Sequence, residues 1–177
     1  MNGSDCKLKI GWSAKPLMGA PVDLEVAAAV ERTAEVLADR GHHIEESAPA
    51  FDLAAMDQML TDLWYFEFDK YLDALGERSK RKVGSDTVER ASLMFYEWAK
   101  TRSVAAYLRA LDELNVFRRQ IGRWFADFDI WLTPTCAQVA QPSGIYGMNI
   151  DVPPLAFLQH EQSACQFMVW ANVCGAP

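Results

Sequence analysis

The residues best placed for chemistry sit at one strand end. In FDIWLTPTCAQVAQPSG, residues 128–144, the apolar run Ile130-Trp131-Leu132 gives way to Thr133-Pro134-Thr135-Cys136, two hydroxyls and a thiol around a proline. A sheet holds its strand ends still, and α/β proteins commonly bind ligands there. A thiol nucleophile needs a base and an orienting group, and His160 is the imagined base, but nothing in the spacing brings it to Cys136. Cys136 therefore reads as a structural or pocket-lining residue ahead of a nucleophile, because cysteines often behave as small buried hydrophobes. Cys165 and Cys174 read as core still more strongly.

Other arrangements are weaker. His160-Glu161 lacks the second histidine that a zinc-protease helix requires, since position 164 is alanine. His42-His43 follows a helix end and precedes a strand, which favours a loop or dipole role over catalysis. The cationic tract Arg78-Ser79-Lys80-Arg81-Lys82 has no interleaved aromatics and reads as a solvated connector. Nucleotide-binding glycine fingerprints and the G-x-S-x-G elbow are not in the sequence. The cysteines at 6, 136, 165 and 174 form no CxxC pair, so neither a metal centre nor a disulfide framework is expected.

The elements that must hold the strand end follow from pattern. Lys7–Ser13 alternates and reads as a strand. Asp23 is placed to cap a helix carrying Val26, Val30, Thr33 and Leu37 on one face, Gly41 ends it, and HHIEES is a second strand. Strand, helix and strand within 1–50 make a βαβ unit with parallel strands. Region 51–128 is helical. One apolar face runs from Met56 through Leu63, Trp64, Phe68 and Leu72 to Leu75, interrupted at Gly76 and the cationic tract. A helix over 87–101 follows, then one capped by Ser103 with Tyr107, Leu111, Ile121 and Trp124 inward. Region 129–177 supplies a strand at 130–134, a Pro- and Gly-rich loop over 142–154, and a helix from Leu155 to Cys174 that looks enclosed on all sides around 165–171. The 177 residues read as a single α/β domain or a partial one, and the chain stops where another strand would normally begin.

A chain of this length can bury about 70% of its unfolded surface, and half of its residues are hydrophobic, which excludes a disordered class. The net charge of −7 disfavours nucleic acid as a partner. The opening residues lack a signal-peptide core and no apolar run is long enough for a bilayer, so no membrane partner and a cytoplasmic location are expected.

Several stretches in order, LKIGWS, APVDLEVAAAVERTAEVLADRGHHIEE, FDIWLTPT and ANVCGAP, resemble the later portion of amidase-signature hydrolases. The resemblance implies an α/β fold with part of a central mixed sheet flanked by helices, apparently incomplete, and hydrolysis of amide carbon–nitrogen bonds without a cofactor. In such enzymes a lysine draws a proton through a cis-peptide serine so that a second serine attacks the carbonyl, and backbone N–H groups receive the oxyanion. Their glycine- and serine-rich signature precedes the region equivalent to Leu8, and this sequence has no Gly-Gly-Ser-Ser-Gly tract, so no catalytic role is transferred to Ser13, Ser143 or Ser163. The chain alone is expected to be inactive. By the same resemblance Thr135 and Cys136 are expected to line the substrate pocket, with Phe167 and Asn172 beside them. The expected partners are a small-molecule amide substrate in the complete enzyme and either the missing amidase portion or a second copy of the chain. The competing reading is a noncatalytic α/β module that binds a partner.

Overall fold

Alternating residues Lys9–Trp12 form β1, and the amphipathic stretch Leu24–Asp39 forms α1. Gly41, at φ 87°, lets the helix stop by taking the left-handed conformation. Its N–H bonds to Ala38 O and the N–H of His42 to Leu37 O. His43–Glu46 then forms β2, parallel to β1 with Lys9 opposite His43. His42 has the structural role expected of it, since its Nδ1 accepts the Leu8 N–H at 3.2 Å. The computed structural model describes residues 6–18, 20–145 and 147–175.

Six further elements follow: α2 (Leu53–Leu63), α3 (Phe68–Ser79), α4 (Arg90–Ala99), α5 (Val104–Trp124) and, after β3 (Ile130–Leu132), α6 (Pro154–Cys174). Ser103 caps α5, its Oγ accepting the Ala106 N–H. Asp23 stands at the N-cap of α1 but does not cap it. Its carboxylate instead accepts the N–H of Val139 at 3.0 Å. Among the described residues, no helix is long and apolar enough to cross a membrane.

The described residues cluster into two compact units. The first draws on Met1–Leu53, Asn115–Ala140 and Ser163–Pro177. Its sheet has the order β2-β1-β3, and all three described strands are parallel. Gly11 lies under the Trp124 indole, so close that a Cβ there would overlap the ring's Cζ2. Trp124 stacks on Phe128 at 4.3 Å and donates its indole N–H to Ser47 Oγ at 3.0 Å. Gly11→Ala should therefore lower the unfolding free energy by about 1–3 kcal/mol, the usual cost of overpacking a filled site. Urea denaturation followed by tryptophan fluorescence would measure it, and an unchanged midpoint would mean that the ring gives way freely.

The second unit holds Ala54–Leu114 and Gln141–Gln162. Its core joins Ala91, Phe95, Phe157 and Leu158. Tyr65 stacks on Phe95 at 3.8 Å, and Phe157 meets Phe95 edge-on. Burial, aided by the Glu161 carboxylate, pushes the Tyr65 hydroxyl up to about 12. The helical face expected to run unbroken through 56–75 is interrupted at 64–67, where Tyr65 and Glu67 take φ 60° and 61°. Gly76 does not end the second stretch. It lies inside α3, where the Arg81 carbonyl comes within 2.7 Å of where a Cβ would be and leaves no room for a side chain, and Lys80, at φ 55°, makes the helix stop.

Candidate functional site

The site is built on β3. Residues Ile130, Trp131 and Leu132 pair with Ile10, Gly11 and Trp12. The Asp129 N–H bonds to Lys9 O, while the Asp129 carboxylate accepts the Lys9 N–H, each at 2.8 Å. The Ser13 N–H bonds to Leu132 O at 3.1 Å. Pro134, buried and without an N–H, then takes the chain out of the ladder. The loop that follows is tied at both sides: the Asp23 N–H bonds to Ala137 O and the Ala137 N–H to Ala164 O, both at 2.8 Å.

The C-terminal part of α6 faces the strand. Its backbone leaves helical geometry at Cys165 (φ −100°, ψ 15°). Gln166, 1% exposed, accepts the Leu17 and Met18 N–H groups through Oε1 at 2.6 and 3.1 Å. Its Nε2 donates to Ala20 O and Ser163 O. The far end of α6 is held by Arg118, whose Nε and Nη2 donate to Val173 O at 3.2 and 2.9 Å. Trp131 of β3 and Trp170 of α6 meet with ring centroids 4.7 Å apart.

Between β3 and this part of α6 lies a cavity of about 620 Å³, within the range of small-molecule sites. Trp131, Phe167, Met168 and Trp170 supply apolar wall, and Asp129, Thr133, Thr135 and Asn172 supply polar groups. The strand order 2-1-3 puts β3 at one edge of the described sheet, and the cavity runs along it from Asp129 to Thr135.

Three of the four residues singled out from sequence, Thr135, Phe167 and Asn172, line this one cavity. The fourth, Cys136, is half-buried and is not among the lining residues. The α6 segment expected to be enclosed all round, 165–171, is not: Cys165 and Met168 are exposed, while Gln166, Phe167, Val169 and Trp170 are buried. Cys165, read as core, is a surface residue. Cys174 is half-buried, and burial pushes its thiol up, with Arg118 acting weakly against this. Sequence reading overlooked Trp131 and Trp170 as site residues. Both are buried, as bulky aromatics on apolar runs suggest, and border the cavity as well.

A parallel α/β sheet with a cavity along its third strand, carried by a sequence that matches the Amidase family model over residues 1–177, defines the class: the chain belongs to the amidase family. Among individual relatives, it is similar to the 6-aminohexanoate-cyclic-dimer hydrolase of Paenarthrobacter ureafaciens, with 24% identity over 96% of this chain and 36% of that protein. A solved structure of 6-aminohexanoate cyclic dimer hydrolase complexed with substrate has a similar fold, with a TM-score of 0.79 at 23% identity, again over 96% of this chain and 36% of the other. A bacterial aryl acylamidase of the amidase-signature family superposes with a TM-score of 0.64 at 19% identity, over 89% of this chain and 35% of that one. The chain thus spans about a third of the length of these relatives.

Proposed function

We propose that this chain serves the hydrolysis of amide carbon–nitrogen bonds, contributing scaffold and one wall of the substrate cavity while the lysine and the two serines of the reaction come from outside these 177 residues. The observation that carries this reading is the match of the whole span to the amidase family. Ser13 does not suit the role of nucleophile. It is buried at 3% exposure and its Oγ accepts the Lys15 N–H at 3.1 Å, while the Lys15 ammonium pairs with Glu46 at 2.7 Å. The proposed substrate is a small amide with aliphatic segments, as the name of the similar cyclic-dimer hydrolase suggests. Thr135, Phe167 and Asn172 are its proposed cavity contacts, and Cys136 a neighbour of the wall rather than the nucleophile.

The test is amine release from the cyclic dimer of 6-aminohexanoate. The chain alone should give none. Combined with a separately produced amidase portion that carries the lysine and the glycine- and serine-rich signature, it should give turnover. In that mixture Asn172→Ala should raise KM with kcat little changed, as loss of uniform binding does, and Cys136→Ser should keep most activity. Turnover by the chain alone that Ser13→Ala abolishes would overturn the reading, as would an inert mixture.

A further inference from the structure

The described sheet ends differently on its two sides. At one edge β2 carries His43, Glu45 and Glu46, all exposed, and charges along an edge discourage other strands from adding to it. At the other edge β3 is Ile130-Trp131-Leu132, without a charge, and among the described residues its strand partner is β1 alone. Uncharged apolar edges are the ones that proteins normally cover. Ile130 is nonetheless 42% exposed. The cavity beside β3 lies where such a cover would go. Side chains of a strand alternate between the two faces of a sheet, so a hollow on one face borders every second residue. This one borders Asp129, Ile130 and Trp131 in succession, then Thr133, Pro134 and Thr135. It therefore follows the edge itself, and a neighbouring strand would sit in it, about 4.8 Å from β3.

We infer that the free edge of β3 is a docking line for an extended segment from the part of the amidase outside these 177 residues, which adds to the sheet beside β3. The inference rests on reading the chain as one portion of an amide hydrolase. Length commits it to that occupant. The chain matches 36% of the similar cyclic-dimer hydrolase, in sequence and in solved structure, so the larger part of such an enzyme lies outside it and has to close against it. Main-chain hydrogen bonds would hold the segment, as in other strand additions. Its side chains would be apolar on both faces, because one face continues that of Ile130 and the other that of Trp131, and strands covered on both faces read as continuous hydrophobic runs. Exposed Met168 of α6, which also lines the cavity, would be covered with it. Substrate keeps the stretch past Pro134, where the chain has left the ladder and Thr135 borders the cavity.

Hydrogen exchange tests this on the 177-residue chain, with and without the separately produced amidase portion that carries the lysine and the glycine- and serine-rich signature. Amides within 130–133 that β1 leaves free should exchange quickly in the chain alone and about tenfold or more slowly in the complex. Ile130→Lys sets a charge on the edge at a position already exposed, and should weaken the complex by about tenfold in a calorimetric titration. The wild-type exchange measurement needs no variant, so it stands if Ile130→Lys does not fold. A complex that leaves exchange over 130–133 unchanged overturns the inference, as does failure of the two portions to bind. Protection of the same amides that rises with the concentration of the chain alone makes a second copy the occupant, and overturns it too. A complex that protects the edge but hydrolyses no amide overturns the proposed reaction and leaves the docking line standing. Turnover with the edge unprotected does the reverse.

Discussion

Asp62→Ala should destabilise the second unit by about 3–5 kcal/mol, the cost of removing one partner from a buried ion pair. Asp62 and Arg102 pair with side chains only 13% and 18% exposed. The guanidinium lies over the Trp98 ring at 4.7 Å, and its Nε already has no acceptor among the described residues. Removing the carboxylate would leave a poorly hydrated cation with an aromatic face as its remaining partner. It would also remove the acceptor of the Gln58 Nε2–H at 2.8 Å. The exposed pair Lys100–Glu97 is the control, because surface pairs contribute about 0–1 kcal/mol, and Glu97→Ala should be nearly silent. Urea titrations of the two variants measure the difference. A loss below about 1 kcal/mol for Asp62→Ala would mean that Arg102 finds water or another acceptor when the carboxylate is gone.

Gln166→Leu is expected to cost about 3–5 kcal/mol in the first unit. The substitution keeps the volume roughly constant but orphans the Leu17 and Met18 N–H groups and the Ala20 and Ser163 carbonyls that the amide now serves. Each buried group left unpaired costs about 1–3 kcal/mol, and partial rehydration of a loop recovers some of the sum. Thermal melting gives the total. Hydrogen exchange gives the location: the Leu17 and Met18 amides sit in a loop yet should exchange slowly in the native chain and rapidly in the variant. If exchange at those two positions did not change, the side chain would not be their partner.

Much of this fold was legible because its elements carry their own punctuation. Asp23 and Gly41 bracket α1, Ser103 starts α5, and Pro134 stops β3. The break between α2 and α3 was not legible. Trp64-Tyr65-Phe66-Glu67-Phe68 has no glycine or proline, and the left-handed backbone at Tyr65 and Glu67 is unfavourable locally. Tyr65 stacked on Phe95 shows where tertiary packing compensates, and no single-segment pattern encodes such a partner. Asp23 was legible as a helix start but not as a tie to Val139, a contact spanning 116 residues. At the candidate site, the Thr-Pro-Thr strand end borders the cavity. The wall opposite was legible in part: Phe167 and Asn172 line the cavity as named, whereas Cys165 and Met168, expected to be enclosed, are exposed, and α6 leaves helical geometry at Cys165.

The pairing of β1 with β3 has a kinetic consequence. Lys9 and Asp129 hydrogen-bond across 120 residues of chain, whereas β2 reaches the other side of β1 after a single helix. A growing polypeptide therefore completes one side of β1 early and waits for the other. From the end of β2 at Glu46 to the start of β3 at Ile130, at a synthesis rate of about 5–20 residues per second, that wait is roughly 4–17 s. Throughout it β1 presents an open row of N–H and C=O groups, the surface on which strands of other chains add. Yield in the cell should thus depend on how that nascent edge is shielded, and slower translation would lengthen the exposure without altering a single native contact.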